Sequence, residues 1–365
     1  MAEKKKFIFD ISLTFLASII NLGISFIVTV ALGKYLGADQ LGLYRLTATI
    51  YSIGILFGSL GIPATITKYA AEYEKDSDRV MSFLFTALLL SIFSGVVVTS
   101  FIFIFSDIIA TIFKIPELSE LLKILCFIFP FALINLTLLG LLNGLRKMKS
   151  YAIANILQSI ITLFVTIPLI YFGFRAAGAV IGLLISSAVT SIYLLYTNRI
   201  HIKRITEDLK SNMNKILQFG LRVLGAGSLS EINNQLDVVM IGLFLFSADV
   251  GYYSVAIILS RFFWIIPSAF QTITYPATSS YWREKNYLKL NVMYNKSVKY
   301  CTAILIGIAL GLVFFGPYFI NLFFNKDFAV SILPLQILLV GTVIRGGLVQ
   351  PIGGALCGAG KPGLD

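Results

Sequence analysis

A single histidine, His201, and three cysteines serve all 365 residues of this chain. The histidine lies in a basic stretch between apolar segments and is read as a solvated loop residue. A histidine proton relay inside a membrane is thereby excluded. Cys126, Cys301 and Cys357 fall far apart, in or beside apolar runs. No two of them have metal-ligand spacing, so neither a zinc site nor a disulfide framework is expected. Charged residues make up only 13% of the chain. Long polar loops are missing as well. The longest, near 199–215 and 277–296, are too short to house a catalytic domain. There is no Walker motif, no zinc-binding helix, no acidic sugar-nucleotide motif and no Ser/His pairing, and no enzyme activity is expected.

What is present is apolar. Hydrophobic residues make up 57% of the sequence, and the mean hydropathy is +0.87. Such a composition excludes a soluble domain of this size. Ten segments are long enough to cross a bilayer as helices, near 8–33, 41–66, 81–105, 119–142, 151–173, 176–198, 216–246, 250–276, 300–323 and 329–356. The first is read as a retained signal anchor. The fold class is therefore an all-α integral membrane protein of about ten transmembrane helices.

The basic residues sort by side. Of the 29 Lys and Arg, twenty fall at the N-terminus and in every second loop, and the last of these is Lys361. Only Lys34, Lys114, Arg175 and Lys326 fall on the other side. Retention of basic loops sets orientation, so the N-terminus is expected to be cytoplasmic in a multi-pass protein of the cytoplasmic (inner) membrane. The same pattern accounts for the net charge of +11. That excess faces anionic membrane lipids, and a nucleic-acid partner is not expected.

The chain repeats itself. LGKYLGADQLGLYRLTATI, from Leu32, matches IGLFLFSADVGYYSVAIIL, from Ile241, at an offset of 209 that aligns Gly33 with Gly242, Gly42 with Gly251 and Tyr44 with Tyr253. GLLNGLRK, from Gly140, matches GALCGAGK, from Gly354, at an offset of 214. An offset of six spans makes the two copies parallel, as in two-lobed transporters. The expected organisation is an N-terminal lobe over 1–200 and a basic cytoplasmic linker over 201–215. A C-terminal lobe over 216–365 follows, which lacks counterparts of the spans at 151–173 and 176–198. Two pseudo-symmetric lobes around a central cavity are expected, the second of them incomplete.

Ionisable groups inside spans are costly and mark function by default. Arg45, with Ser52, lies on a polar face of the second span. Ser254, Arg261, Trp264 and Ser268 lie on the equivalent face of the eighth. Arg261 is expected near the midplane, beyond easy snorkelling to an interface. Arginine forks suit an anionic, phosphate-bearing group. The seventh span is the most polar, with Glu231, Asn234, Gln235 and Asp237. Its acids either hold a coupling cation or pair with arginines such as Arg222 and Arg345, or steady the wall of the cavity. The lone amides Asn21, Asn135, Asn155 and Gln158 are assigned to hydrogen bonding between helices. No cofactor is expected, with coupling left to Na+, H+ or the membrane potential.

The segments ALGKYLGADQLGLYRL, GSLGIPATITKYAAEY, GLLNGLRKMKSYAIANIL and DVVMIGLFLFSADVGYYSVAIILSRFFWIIPSAFQTITYP resemble those of the polysaccharide-biosynthesis flippases. These form the Wzx-like branch of the multidrug/oligosaccharidyl-lipid/polysaccharide exporter superfamily. The resemblance covers essentially the whole chain through diffuse motifs of glycines, small residues and aromatics. It implies two six-helix lobes and export of a lipid-diphosphate-linked oligosaccharide for surface polysaccharide or lipopolysaccharide, by alternating access of the lobes. The partners it implies are that lipid-linked oligosaccharide, membrane lipids and a polymerase or glycosyltransferase machinery. The alternatives are a cation-coupled multidrug antiporter or a lipid II flippase of the same superfamily. A membrane glycosyltransferase is a third reading, disfavoured by the short loops.

Overall fold

The computed structural model describes residues 2–198 and 209–351. His201, Lys361, Cys357, most of the 201–215 linker and the Gly354–Lys361 copy of the second repeat lie outside the described residues.

Every regular element among the described residues is helical. In order they are α1 (Ala2–Gly58), α2 (Ile62–Glu72), α3 (Ser77–Phe113), α4 (Glu117–Leu125), α5 (Ile128–Gly144), α6 (Met148–Tyr171) and α7 (Arg175–Thr197). After the undescribed stretch come α8 (Leu209–Phe244), α9 (Ser247–Arg261), α10 (Ile265–Arg283), α11 (Tyr287–Phe323) and α12 (Ile332–Thr342). A 3-10 turn at Phe262–Trp264 joins α9 to α10, and a π-helical stretch, Val343–Val349, extends α12.

Seven of these helical stretches are long and apolar enough to cross a membrane, and the bent pair α4 and α5 makes an eighth. The protein is a multi-pass membrane protein. The number agrees with the expected ten once two features are considered. First, α1 has 57 residues, about 86 Å of helix at 1.5 Å per residue and far longer than one crossing needs. It is two helices meeting at Gly37, whose φ of 83° and ψ of 179° are not helical. That conformation is reserved for glycine. Second, α8 has 36 residues but carries the polar run from Ser228 to Asp237, which keeps it out of the purely apolar set.

Breaks fall where the chemistry predicts them. Leu60 and Gly61 take positive φ, ending α1 and starting α2, with Pro63 in the first turn of α2. The fourth span bends by 45° between α4 and α5, just ahead of Pro130. Asp76 caps α3 by accepting a hydrogen bond from the Arg79 backbone N–H at 3.2 Å.

The packing is inverted relative to a soluble protein. On α3, Phe93 is 68% exposed while Ser91 is 1% exposed. Lipid replaces water outside, so apolar side chains gain nothing by turning inward, whereas hydroxyls need partners. Ser91 and Thr137 share a hydrogen bond of 2.7 Å. The Asn135 side chain donates to the Ser187 carbonyl at 2.9 Å and accepts from the Ser191 hydroxyl at 2.7 Å. The assignment of Asn135 to interhelical bonding therefore holds.

By contact density the chain divides into a unit ending at Gly251 and a unit beginning at Tyr252. In the first, α8 packs along α1, α2 and α3. In the second, α11 packs with α10, α12 and the π-helical stretch. Contact density places α8 with the elements it touches, whereas the repeat assigns it by sequence correspondence to a second lobe. The two divisions measure different things.

Candidate functional site

In the first unit the polar face of the second span is built around one cross-helix chain of hydrogen bonds. Thr49, buried on α1, donates its hydroxyl to Gln235 Oε1 on α8 at 3.4 Å. The Gln235 amide donates to Glu231 Oε1 at 3.2 Å. Glu231 and Gln235 stand at i and i+4, so they share one face of α8. Gln235 is only 7% exposed. This explains how the most polar helix is tolerated: its inward amide is satisfied against α1, and its acid against that amide. Asn234, one residue back, faces outward and is exposed. Asp237 is half-buried and accepts from the Val238 backbone N–H at 2.8 Å. Arg45, half-buried, sits one turn before Thr49, and Ser52 donates to the Ala48 carbonyl at 3.0 Å. Arg222 is exposed on the same α8, in the half that precedes the polar run.

In the second unit Ser254 is buried, while Arg261 and Ser268 are exposed. Arg261 is the last of the 15 residues of α9, about 21 Å along the helix from Ser247. Ser268 donates to the Trp264 carbonyl at 2.8 Å. The Arg345 guanidinium lies over the Trp264 ring, 5.6 Å from its centre. A guanidinium against an indole face is held by the ring quadrupole. Gln350 also donates to Gln271 Oε1 at 3.0 Å.

Two expectations of local geometry change. The helix that carries the Arg45 and Ser52 face stops at Gly58, short of the expected end of the second span at 66. The face from Ser254 onward is broken at Phe262–Trp264. Helical spacing projected both as straight rods, and the breaks re-aim everything beyond them.

Sequence reasoning assigned Asn21, Asn155 and Gln158 to separate interhelical contacts. The structure brings them together. With Ser159, Thr162 and Tyr44 they line a cavity of about 290 Å³ between α1, α6 and α7. A signal was present in the sequence: Asn155, Gln158, Ser159 and Thr162 follow i, i+3, i+4, i+7 spacing, one face of one helix.

Comparison with known proteins places this geometry in context. A family described as polysaccharide biosynthesis protein matches residues 8–282. A protein of Escherichia coli described as lipopolysaccharide biosynthesis protein WzxC is 21% identical over 361 residues, 98% of this chain and 70% of the relative. The probable flippase AglR of Haloferax volcanii is 26% identical over 143 residues, 39% of this chain and 29% of the relative. Among solved structures, the chain resembles an inward-facing multidrug resistance MATE family transporter of the MOP superfamily with a TM-score of 0.78 and 18% identity, covering 94% of this chain and 82% of that one. An outward-facing MATE family transporter gives 0.66 and 20%, with 97% and 83% covered. At these identities the likeness establishes the fold.

Proposed function

This chain belongs to the polysaccharide biosynthesis protein family, and we propose that it is a flippase. It moves a lipid-diphosphate-linked oligosaccharide across the cytoplasmic membrane by alternating access of two lobes around a central cavity. Its family membership and the names of its relatives support that substrate class.

The observation that carries the reading is Arg261, an exposed arginine deep along a helix long and apolar enough to span a membrane. A permanent charge there is retained only where it meets water or an anion. A diphosphate offers several oxygens to the planar fork of a guanidinium, which keeps its charge when poorly hydrated. Arg261 is assigned to the diphosphate, with Ser254, Trp264 and Ser268 beside it in sequence. Arg45, with Ser52 on its helix face, is assigned as a second arginine for a phosphate-bearing group, nearer the outer face. Glu231 and Asp237, with Asn234 and Gln235, serve coupling to Na+, H+ or the membrane potential, or neutralise the arginines, with Arg222 and Arg345 as candidates for such charge pairs. The N-terminus faces the cytoplasm on the distribution of Lys and Arg. Polymerase and glycosyltransferases are the partners on either side of the transfer, and the chain itself transports without catalysing bond chemistry.

A drug-exporting antiporter shares the fold, but a cationic drug calls for acidic pockets where this chain places arginines. The experiment is glycan export in cells whose own flippase gene is removed. Arg261→Ala is expected to abolish export at normal abundance, and Arg261→Lys to restore part of it, since a point charge lacks the bidentate fork. Wild-type export by a stably inserted Arg261→Ala protein overturns the assignment.

A further inference from the structure

The cavity between α1, α6 and α7 is lined mostly by polar but uncharged residues. Of its eleven lining residues only Ile24, Val28 and Leu183 are apolar, and none is Asp, Glu, Lys, Arg or His. Such a lining selects against ions. A carboxylate, phosphate or ammonium entering it would lose hydration and find no charged side chain in the lining, since the Arg45 guanidinium, which acts on the Tyr44 phenol, is not part of it. It also selects against a purely apolar guest, which would strand the amides.

Several hydrogen-bonding groups remain unspent there. Asn21 accepts from Ser159 through Oδ1 at 2.6 Å, which leaves its amide nitrogen. Asn155 donates to the Tyr151 carbonyl at 2.9 Å, which leaves its Oδ1. Gln158 donates to the Ser187 hydroxyl at 3.3 Å, which leaves its Oε1. Among the described residues none of these three atoms, nor the Tyr44 hydroxyl, bonds to protein. The residues that carry this spare donor, these two spare acceptors and the phenol all line one space. Tyr44 adds a flat ring with a polar tip. The cavity volume of about 290 Å³ is many times what a single water needs, room for one pyranose ring.

We propose that this cavity binds an uncharged pyranose ring, a subsite for one sugar of the glycan that the protein moves. The proposal rests on the flippase reading for the origin of the sugar, but the chemistry of the lining stands without it. Hydroxyls are donor and acceptor at once, so a neutral ring can satisfy the amide nitrogen and both amide oxygens together. The subsite sits in the first unit on helices distinct from α9, with Tyr44 next in sequence to Arg45, so a sugar held there would lie beside a phosphate-bearing group at Arg45.

The test uses the full-length protein in detergent and a panel of methyl pyranosides of gluco, galacto and manno configuration. Glucuronate and glucosamine serve as charged rings of the same size, and binding is read by saturation-transfer NMR. At least one neutral pyranoside is expected to bind, and both charged rings to bind about tenfold more weakly. Gln158→Leu is expected to weaken the neutral sugar about tenfold by removing an acceptor and a donor. Tyr44→Phe, which removes one hydroxyl and preserves the shape, is expected to weaken it a few-fold. No binding by any neutral pyranoside overturns the proposal. So does equal binding of the charged rings, or unchanged affinity in both variants. Glycan export separates the two readings. If wild-type protein binds the sugar but exports no glycan, the flippase reading fails and the sugar site stands. If Gln158→Leu and Tyr44→Phe bind and export as wild type while Arg261→Ala does not export, the sugar site fails and the flippase stands.

Discussion

Gly42 and Gly251 each press bare backbone against the other's helix start. A β-carbon on Gly42 would collide with the Ser247 carbonyl oxygen, and one on Gly251 with the Ala38 carbonyl oxygen. Both pairs obey the repeat offset of 209: Gly42 corresponds to Gly251, and Ala38 to Ser247. The contact is therefore its own mirror under exchange of the two repeats. The Ser247 hydroxyl reinforces it by donating to Asp39 Oδ1 at 2.8 Å. Neither residue can gain a side chain without separating two backbones.

Gly42→Val and Gly251→Val should each lower the thermal stability of the purified protein, by about 1–3 kcal/mol if the strain resembles core overpacking. Gly225→Ala is the control. It lies in α8 with nothing within 4 Å of a built β-carbon, and alanine there should be neutral or stabilising by about 0.5–1 kcal/mol. Equal melting of Gly42→Val and wild type would show that the crossing does not hold in solution.

The Thr49–Gln235–Glu231 chain predicts a coupling. Thr49→Val and Gln235→Leu should each destabilise, and the double variant should lose less than the sum. Hydrogen bonds between membrane helices couple by about 0.6 kcal/mol on average and about 1.7 at most. A double-mutant cycle on the unfolding midpoint measures this, and strict additivity would refute the bond.

Arg345 and Trp264 should couple through the ring face. Trp264→Phe keeps an aromatic partner, and Trp264→Leu removes it. Arg345→Ala should cost about 0.5–2 kcal/mol in the wild-type background and close to nothing once Trp264 is Leu. With only two tryptophans in the chain, Trp282→Phe leaves Trp264 as the sole tryptophan, excited selectively at the red edge of its absorption. Its emission should then shift on Arg345→Ala, and an unchanged spectrum would argue against the stacking.

Orientation can be read by impermeant thiol labelling in a background freed of Cys126, Cys301 and Cys357. Cysteines placed at Lys114 and Lys326 should label from outside intact cells, and those at Lys147 and Lys285 should not. Labelling at Lys147 from outside would reverse the assignment of the loops.

Much of the fold was legible because membrane crossing imposes one length and one chemistry. The run 81–105 could only be a helix, and α3 covers it. The breaks were less legible. Pro63 and Pro130 advertised irregularity, but a proline does not state where the axis turns, and the turns fall at Leu60–Gly61 and Cys126–Phe127. The cavity was missed for a related reason. Asn21 and Gln158 are 137 residues apart, and each alone is adequately explained by one hydrogen bond. Only the packing of α1 against α6 reveals that their remaining atoms share a space. The stacking of Arg345 on Trp264 likewise depends on where the Phe262–Trp264 turn aims the indole, which periodicity cannot supply.

The backbone of Gly37 carries a genetic consequence. Space around it is open, with nothing within 4 Å of a built β-carbon, so crowding does not constrain it. Its φ of 83° and ψ of 179° do, because that region is closed to residues with a side chain at a cost of about 1–3 kcal/mol. Every missense change open to a glycine codon brings a side chain. No single-nucleotide substitution that alters this codon's meaning can therefore preserve the joint, and purifying selection there should act through backbone geometry alone, blind to the size or polarity of the newcomer.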